Sequence, residues 1–301
     1  MKADTGWLPM PKTIVAIGEA LWDVFPDRRR PGGAPCNVAF HAARLGDRGV
    51  IITCVGDDAP GDELVVFLRD RGVDTGYVQR DATRPTGTVS VRIEDSDPRY
   101  VITEAVAWDY ITADDDARAL TRAADAICVG SLAQRGEASR VAIRRLLSDA
   151  RGHALVVFDV NLRPPFIDAH VIETTLRVAD VVKMSESEVA RLSTLLDRPA
   201  LVRWLLEDVG VQAVCVTRGA DGAAITTLQG TVSVPGAEID TSAGDAVGAG
   251  DAFTAAMAHQ LVRNATPEET LHAANRYAVL VAMKKGAMPV VSSIELAGIG
   301  F

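Results

Sequence analysis

The chain alternates short runs of β-branched and other apolar residues with longer segments of helical periodicity, and this alternation limits the folds open to it. Near-continuous apolar strands are typical of a parallel sheet whose two faces are both covered by helices. The runs lie at residues 13–18, 50–56, 125–131, 154–161, 179–184 and 213–219. The pattern predicts an α/β fold with a doubly wound, mostly parallel central sheet.

Helices are predicted between these strands, and one segment departs from the alternation. Apolar residues recur at helical spacing over residues 61–72, 137–152 and 199–210, and each stretch ends at a glycine. Residues 86–106 instead show period-two alternation with a turn in the middle, which indicates a β-hairpin. We expect this hairpin to form a small second layer, a β lid, over a ligand.

Composition and charge exclude several classes of function. The chain has 301 residues and is 48% hydrophobic, which is ordinary for a globular protein. Asp and Glu number 40 against 31 Lys and Arg, so the formal net charge of -9 provides no general attraction to nucleic acid or anionic membranes. No apolar run approaches the roughly 18 residues of a membrane span, and no signal-peptide pattern is present. We expect a cytoplasmic protein without nucleic-acid or membrane partners.

The cysteines show no pattern of a metal or redox site. They lie far apart, without a CxxC pair, and each is flanked by apolar residues: Cys36, Cys54, Cys128 and Cys215. Buried thiols in a reducing compartment are the expected outcome.

The stretch DAVGAGDAF (245–253) places Gly248, Ala249 and Gly250 directly before Asp251, at the start of a predicted helix. Bare backbone N–H groups at a helix N-terminus form an anion site, and an acid there can take a proton from a group that attacks the anion. The local pattern is also explained by a tight turn followed by an ordinary first-turn acid.

Polar residues also follow the first strand, where ligands of an open parallel sheet bind. Glu19 and Asp23 come directly after this strand, and Gly32 and Gly33 precede Asn37 near the start of an apolar helix. A carboxylate and a carboxamide that converge here can share hydrogen bonds with neighbouring sugar hydroxyls. A helix-capping role explains Asn37 equally well, and a solvated loop explains the basic run at residues 28–30.

Two segments together resemble the signatures of the ribokinase-like sugar kinases, the PfkB family. They are GGAPCNVA (32–39), followed by Gly46 and Gly56, and DAVGAGDAFTAAMA (245–258). The second departs from the family at Ala246, where Thr is usual. A near-repeat of it, DTSAGD (240–245), lacks a following helix start, so Asp251 is the residue that matches.

The resemblance extends from about Gly18 to about Gly286 and implies a ribokinase-like fold. The expected organisation is a flexible N-terminal segment, residues 1–12, followed by a single α/β domain over residues 13–301. Its β lid is expected from insertions at approximately 20–32 and 84–107. By resemblance, such a lid pairs with that of a second subunit, so a homodimer is expected.

The resemblance also implies an ATP-dependent carbohydrate kinase. The backbone of Gly248, Ala249 and Gly250 would form an anion hole for the γ-phosphate of ATP, and Asp251 would be the base that deprotonates a sugar hydroxyl. Such chemistry depends mainly on positioning and preorganised positive potential.

The resemblance also implies roles for further residues, at positions that match the motifs of the family. Glu188 would hold Mg²⁺ through water, although Ser185 stands where Asn is usual and an acidic helix start is the alternative. Asp245 matches a potassium-binding position of some members. The nucleotide-binding positions are Ser185, Thr217, Gly219, Gly222, Asn275 and Gly286.

The acceptor is expected to be a small sugar. The segments at 20–27, 106–111 and 158–166 look most like the fructokinase branch, which makes fructose the first candidate. The substrate-binding residues implied are Asp23, Gly32, Gly33, Asn37, Trp108 and Arg163. From the residues alone, Arg163 can pair with a substrate oxygen, a phosphate or Asp159, and Trp108 can stack on a sugar or anchor the hairpin.

The sequence bears on two other classes of function besides the kinase. A dinucleotide-binding dehydrogenase is excluded because no GxGxxG follows the first strand. A kinase fold kept for sugar sensing or partner binding stays open, since Ala246 and Ser185 both depart from the family pattern. Within the kinases, the acceptor can also be another sugar, a 2-keto sugar acid, a sugar phosphate or a nucleoside.

Overall fold

A nine-stranded central sheet is the frame of the molecule, in a computed structural model that describes residues 10–94, 97–236 and 244–301. In chain order its strands are β1 (Thr13–Ile17), β4 (Arg48–Gly56), β5 (Val78–Asp81), β8 (Ala126–Val129), β9 (Leu155–Asp159), β10 (Val181–Ser185), β11 (Ala213–Thr217), β12 (Ala223–Thr227) and β13 (Gly230–Val234). Their spatial order is β13-β12-β11-β10-β9-β8-β1-β4-β5. All pairs are parallel except those that β12 makes with β11 and β13.

The strand order reverses beside β1, which fixes where a ligand can enter. From β1 the chain builds outward through β4 and β5 on one side, and then through β8, β9, β10 and β11 on the other. In open α/β sheets the loops diverge at such a switch point and leave a crevice at the carboxyl ends of the strands. The crevice here lies beyond β1 and β8.

A second, four-stranded sheet stands at this end of the molecule. It consists of β2 (Leu21–Val24), β3 (Arg29–Gly32), β6 (Gly87–Glu94) and β7 (Asp97–Ile102), in the order β3-β2-β6-β7. The predicted hairpin is present, since β6 and β7 pair antiparallel with Val89 opposite Ile102. We call this sheet the lid.

Helices cover both faces of the central sheet, as the apolar strands require. They are α1 (Ala34–Arg44), α2 (Ala59–Arg69), α3 (Asp115–Ala123), α4 (Glu137–Ala150), α5 (Ala169–Leu176), α6 (Glu186–Leu195), α7 (Leu201–Trp204), α8 (Ala249–Leu261), α9 (Pro267–Ala282) and α10 (Ser293–Gly298). Alternate residues of β1 belong to different core clusters. Ile14 belongs to the cluster that includes residues of α1, α8 and α9, whereas Val15 belongs to the cluster that includes residues of α4 and α5. The predicted doubly wound fold is confirmed.

Several other expectations can be compared with the described residues. All four cysteines are free, buried thiols, as predicted. The helix predicted over 199–210 is divided, because α7 continues as a π-helix, Leu205–Val209, that Gly210 ends at a φ of 86°. Among the described helices, none has the length and hydropathy that a membrane span needs. Most of the N-terminal segment 1–12 and of the near-repeat 240–245 lies outside the described residues.

Candidate active site

The N-terminus of α8 is open to an anion. Gly248 occupies the N-cap position in the left-handed conformation, with φ 79°, and no side chain caps the helix. Within the described ranges, no backbone carbonyl accepts from the amides of Gly248 and Gly250, while the Ala249 amide makes only a 3.3 Å turn bond to Ala246. Unpaired amides at the positive end of a 13-residue helix attract an anion such as a phosphoryl group.

Asp251 lies in the first turn of α8, partly buried and held by a side chain from α1. Asn37 donates from Nδ2 to Asp251 Oδ2 at 2.6 Å. Desolvation by burial raises the pKa of Asp251 to about 6, against the lowering effect of the Asn37 hydrogen bond. The carboxylate is therefore ionised at neutral pH yet more basic than an exposed aspartate, which suits a general base.

The turn at Gly248 packs against the loop at Ala287. Helix α1, which also carries Asn37, holds that loop in place. A Cβ at Gly248 would lie 2.6 Å from Ala287 Cα. The carbonyl of Ala287 is 2.9 Å from His41 Nε2, and His41 Nδ1 is 2.9 Å from the hydroxyl of Tyr277. Burial lowers the pKa of His41 to about 3, so the neutral ring donates to Ala287 and accepts from Tyr277.

A buried polar cluster behind α8 was missed by the sequence interpretation. Lys183 Nζ donates to Asp159 Oδ2 at 2.8 Å and to the carbonyl of Gly250 at 3.2 Å. The Thr254 hydroxyl lies within hydrogen-bond distance of the same two acceptors, at 2.6 Å and 3.0 Å, and can donate its one hydrogen to either. The signal available in the sequence was a lysine inside the apolar run of β10, where period-two alternation places it on the same face as Val181.

The crevice beyond β1 collects the predicted substrate residues. Asp23 is the third residue of β2, and burial raises its pKa to about 6 against the charges of Arg163 and Arg30. Gly33 caps α1 at a φ of 105°, where a Cβ would collide with the carbonyl oxygen of Glu19. Arg163 is exposed, and its charge lowers the pKa values of Glu19, Asp23 and Asp251. The crevice is therefore a charged site of mixed sign.

Glu19 belongs to this crevice although it was not among the predicted substrate-binding residues. It is 5% exposed, accepts from the Ala34 amide through Oε1, and has no described partner for Oε2. Burial raises its pKa to about 7, assisted by the negative charge of Asp251. Its position directly after β1 was the available signal.

A cavity of about 510 Å³ opens on the opposite side of the α8 turn. Four predicted nucleotide-binding residues line it, Thr217, Gly219, Gly222 and Asn275, together with Ala249, Gly250 and the apolar surface of Phe253, Ala278, Val279 and Ala282. The glycines leave the backbone accessible and the apolar wall suits the flat ring of a base. The predicted residues Ser185 and Gly286 are not part of this lining.

The pattern of the pfkB family carbohydrate kinases matches residues 17–293, nearly the whole chain. The chain belongs to this family. A fructokinase of Escherichia coli is 30% identical over 93% of this chain and 96% of its own, and an aminoimidazole riboside kinase of Salmonella typhimurium is 28% identical over 91% and 90%. The crystal structure of an uncharacterized sugar kinase from Pyrococcus horikoshii in complex with ATP superposes with a TM-score of 0.83 at 28% identity, covering 95% and 97% of the two chains.

Trp108 has a structural role in this carbohydrate kinase, and the prediction that it binds the substrate is wrong. Its side chain is fully buried, its indole Nε1 lies against Gly87 at the start of β6, and Arg135 stacks 3.9 Å from its ring. Stacking on a sugar requires an accessible ring face. Trp108 therefore anchors the hairpin, which was the alternative in the sequence.

Glu188 of the kinase is engaged in internal hydrogen bonds. Its Oε1 accepts from the Leu162 amide at 2.7 Å, and its Oε2 accepts from the amide and hydroxyl of Ser185. Ser185 in turn caps α6, which completes a capping box. These hydrogen bonds are those of an acidic helix start, and the contact of Glu188 with Mg²⁺ through water stays a prediction.

Asp245 is surrounded by donors, which does not fit a potassium ion at this carboxylate. Arg30 Nη1 lies 2.9 Å from its Oδ2, and the amides of Gly286 and Val247 donate to it. A guanidinium already supplies the positive charge that a monovalent cation would bring. The contact also joins the lid strand β3 to the loop before α8.

We expect the kinase to work at the same rate in potassium chloride and in tetramethylammonium chloride of equal ionic strength, because Arg30 occupies the charge position beside Asp245. Steady-state rates in the two salts test this. Arg30→Met removes the resident charge and should introduce a preference for potassium. Strong stimulation of the wild type by potassium would show that the ion displaces Arg30.

Proposed function

We propose that this carbohydrate kinase transfers the γ-phosphoryl group of ATP to a hydroxyl of a small sugar, with Asp251 as the base and the α8 amides as the anion hole. The observation that carries the proposal is the arrangement at one helix end. Asp251 lines a small cavity with Ala34 and Pro35 at the start of α1. The amides of Gly248 and Gly250 are available, and the 510 Å³ cavity reaches the same turn.

The reaction follows from these positions. Asn37 orients the Asp251 carboxylate, which takes the proton of the sugar hydroxyl. The hydroxyl oxygen then forms a bond to the γ-phosphorus as the bond to the β,γ-bridging oxygen breaks, and ADP leaves with that electron pair. Negative charge that develops on the transferring group is met by the backbone amides, and positioning supplies most of the acceleration.

Magnesium is part of the substrate, Mg·ATP, in this proposal. Across the described residues, no group of three or more His, Cys, Asp or Glu could hold a metal ion. Mg²⁺ commonly takes most of its ligands from nucleotide phosphates and water and only one or two from carboxylates. We therefore assign no reaction step to Glu188.

Fructose is the acceptor that we propose first. The E. coli fructokinase relative and the fructokinase-like segments around Asp23 and Arg163 support it. A carboxylate accepts hydrogen bonds and a guanidinium donates them, so the two together in one crevice can bind neighbouring hydroxyls of a sugar. The aminoimidazole riboside kinase relative makes a riboside the second acceptor to examine.

An ADP-release assay tests the acceptor. The purified protein receives Mg·ATP with fructose, ribose, a 2-keto sugar acid, a sugar phosphate or aminoimidazole riboside in parallel. We expect the highest kcat/KM with fructose. Higher kcat/KM with another compound would replace the acceptor and keep the phosphoryl transfer, whereas sugar binding without ADP release for every compound would favour the sugar sensor.

The pKa of Asp251 predicts the pH dependence. The base works when ionised, and burial raises its pKa to about 6. We expect kcat/KM to be constant well above this region and to fall at least tenfold for each pH unit below it. Asp251 must lose its proton to act, and Asp23 and Glu19 of the same crevice take up protons in the same region. Rates between pH 5 and 9 measure the profile. An acid limb near the ordinary aspartate value would contradict a desolvated base.

The lid also supports a proposal about assembly. Strand β7 forms one edge of the four-stranded sheet, and its Val101 is 49% exposed. Exposed strand edges are commonly covered by another chain. We propose a homodimer through the lid, and light scattering that gives the mass of one chain at assay concentration would refute it.

A further inference from the structure

We infer that Lys183 is a positioning residue for the kinase reaction: its buried ammonium group fixes the first turn of α8 and supplies a positive charge that faces Asp251. The inference rests on the proposed function, in which Asp251 is the base and the same turn carries the anion hole. It adds a role for a buried residue of strand β10, two positions before Ser185.

The position of Lys183 is unusual for a lysine. It lies opposite Asp159 in the parallel pairing of β10 with β9, next to Cys215 of β11, and its side chain is 9% exposed. Burying an ammonium group is costly unless it is paired and hydrogen-bonded. Asp159 provides the pair and the Gly250 carbonyl provides a second acceptor.

The contact with Gly250 ties this charge to the anion hole. Gly250 is the second residue of α8, its amide belongs to the proposed cradle, and its carbonyl lies within hydrogen-bond distance of both Lys183 Nζ and Thr254 Oγ1. The ammonium group therefore holds the peptide units between the anion hole and the base. Loss of the ammonium group removes this restraint and frees the turn to shift relative to the phosphoryl group.

The same ammonium group acts on Asp251 through its charge. Burial lowers the pKa of Lys183, but the carboxylates of Asp159, Asp251 and Glu188 outweigh this and raise it, so the group is a permanent cation. The charges that face Asp251 are Asp159 from β9, Lys183 from β10, Arg163 from the loop after β9, and Glu19 from the loop after β1. Asp159 raises the pKa of Asp251 and Lys183 lowers it.

Three variants test the inference through the pH profile of kcat/KM. Lys183→Met should move the acid limb of this profile to a pH about one unit higher, and should lower the plateau of kcat/KM at high pH roughly tenfold. Asp159→Asn should instead move the acid limb to a lower pH. The double variant Asp159→Asn/Lys183→Met avoids an unpaired buried carboxylate, and its limb should return towards the wild-type position. Its plateau should stay low, because the Gly250 carbonyl still lacks the ammonium donor.

Lys12→Met is the matched control. Lys12 also pairs with an aspartate, Asp125 at 2.9 Å, but at the amino end of β1 and with 36% of its side chain exposed. We expect this variant to keep the wild-type profile. If folded Lys183→Met also keeps both the limb and the plateau, the inference is overturned. Full activity of Asp251→Asn would instead overturn the proposed base, so the two failures are distinguishable.

Discussion

Asp251→Asn is expected to lower kcat by roughly 10²- to 10⁴-fold, because the amide cannot accept the proton of the sugar hydroxyl. The geometry should persist, since the carbonyl oxygen of the new side chain can still accept from Asn37. We therefore expect sugar and nucleotide affinities close to those of the wild type. ADP release and calorimetric binding of both ligands measure the two effects separately.

The exposed carboxylate of Asp70, at the end of α2, offers a matched control. Asp70→Asn removes the same charge outside the crevice and should leave kcat unchanged. An active Asp251→Asn variant, alongside an unaffected control, would show that another group accepts the proton.

The same substitution is expected to stabilise the fold. Burial raises the folded-state pKa of Asp251 from 3.8 to about 6, so ionisation of this group weakens folding as pH rises through that interval. At pH 8 the neutral amide should increase the free energy of unfolding by up to about 3 kcal/mol, which raises Tm by several degrees. Urea unfolding at pH 8 tests the gain, and a loss of stability would contradict a desolvated carboxylate.

Gly248→Ala is expected to reduce kcat by roughly 10²-fold, comparable with the loss of one donor of an oxyanion hole. The N-cap glycine has φ 79°, and an added Cβ would lie 2.6 Å from Ala287 Cα and 2.8 Å from its carbonyl oxygen. Because His41 fixes that carbonyl, the turn at Gly248 must move instead of its neighbour. The amides of the anion hole then lose their alignment.

Gly152→Ala separates steric displacement from backbone strain. Gly152 has φ 77°, nearly the same as Gly248, but a Cβ there meets no atom within 4 Å, and it follows α4 at the opposite end of the sheet. We expect this variant to lose about 1–2 kcal/mol of stability and to keep its kcat. Equal loss of activity in both variants would mean that the effect of Gly248→Ala comes from general destabilisation.

The features that could be predicted from the sequence are those that depend on residues close together along the chain. Apolar runs of β-branched residues predicted the central strands, and period-two alternation predicted the pairing of β6 with β7. The glycines before Asp251 predicted an open helix N-terminus, and the amides of Gly248 and Gly250 agree with it. Each of these features follows from conformational preferences over a few residues.

Contacts between distant segments could not be predicted in the same way. Arg30 looked like part of a solvated loop, yet it pairs with Asp245, 215 positions away. Lys183 lies inside the run 179–184 that was predicted as a strand, and nothing local to it indicates its contacts with Asp159 and Gly250. Trp108 was assigned to the wrong environment because its burial depends on Gly87 and Arg135, which are more than 20 positions away from it along the chain.

Helix α1 has a consequence for how the family can diversify. One rigid element holds Asp251 through Asn37 and, one turn later, holds the loop under Gly248 through His41. The side chain of Asp251 and the loop beneath the proposed phosphoryl cradle are thus held by one rigid element that lies outside the lid. Substitutions in the lid strands can therefore change the residues around the crevice while α1 keeps both of these contacts.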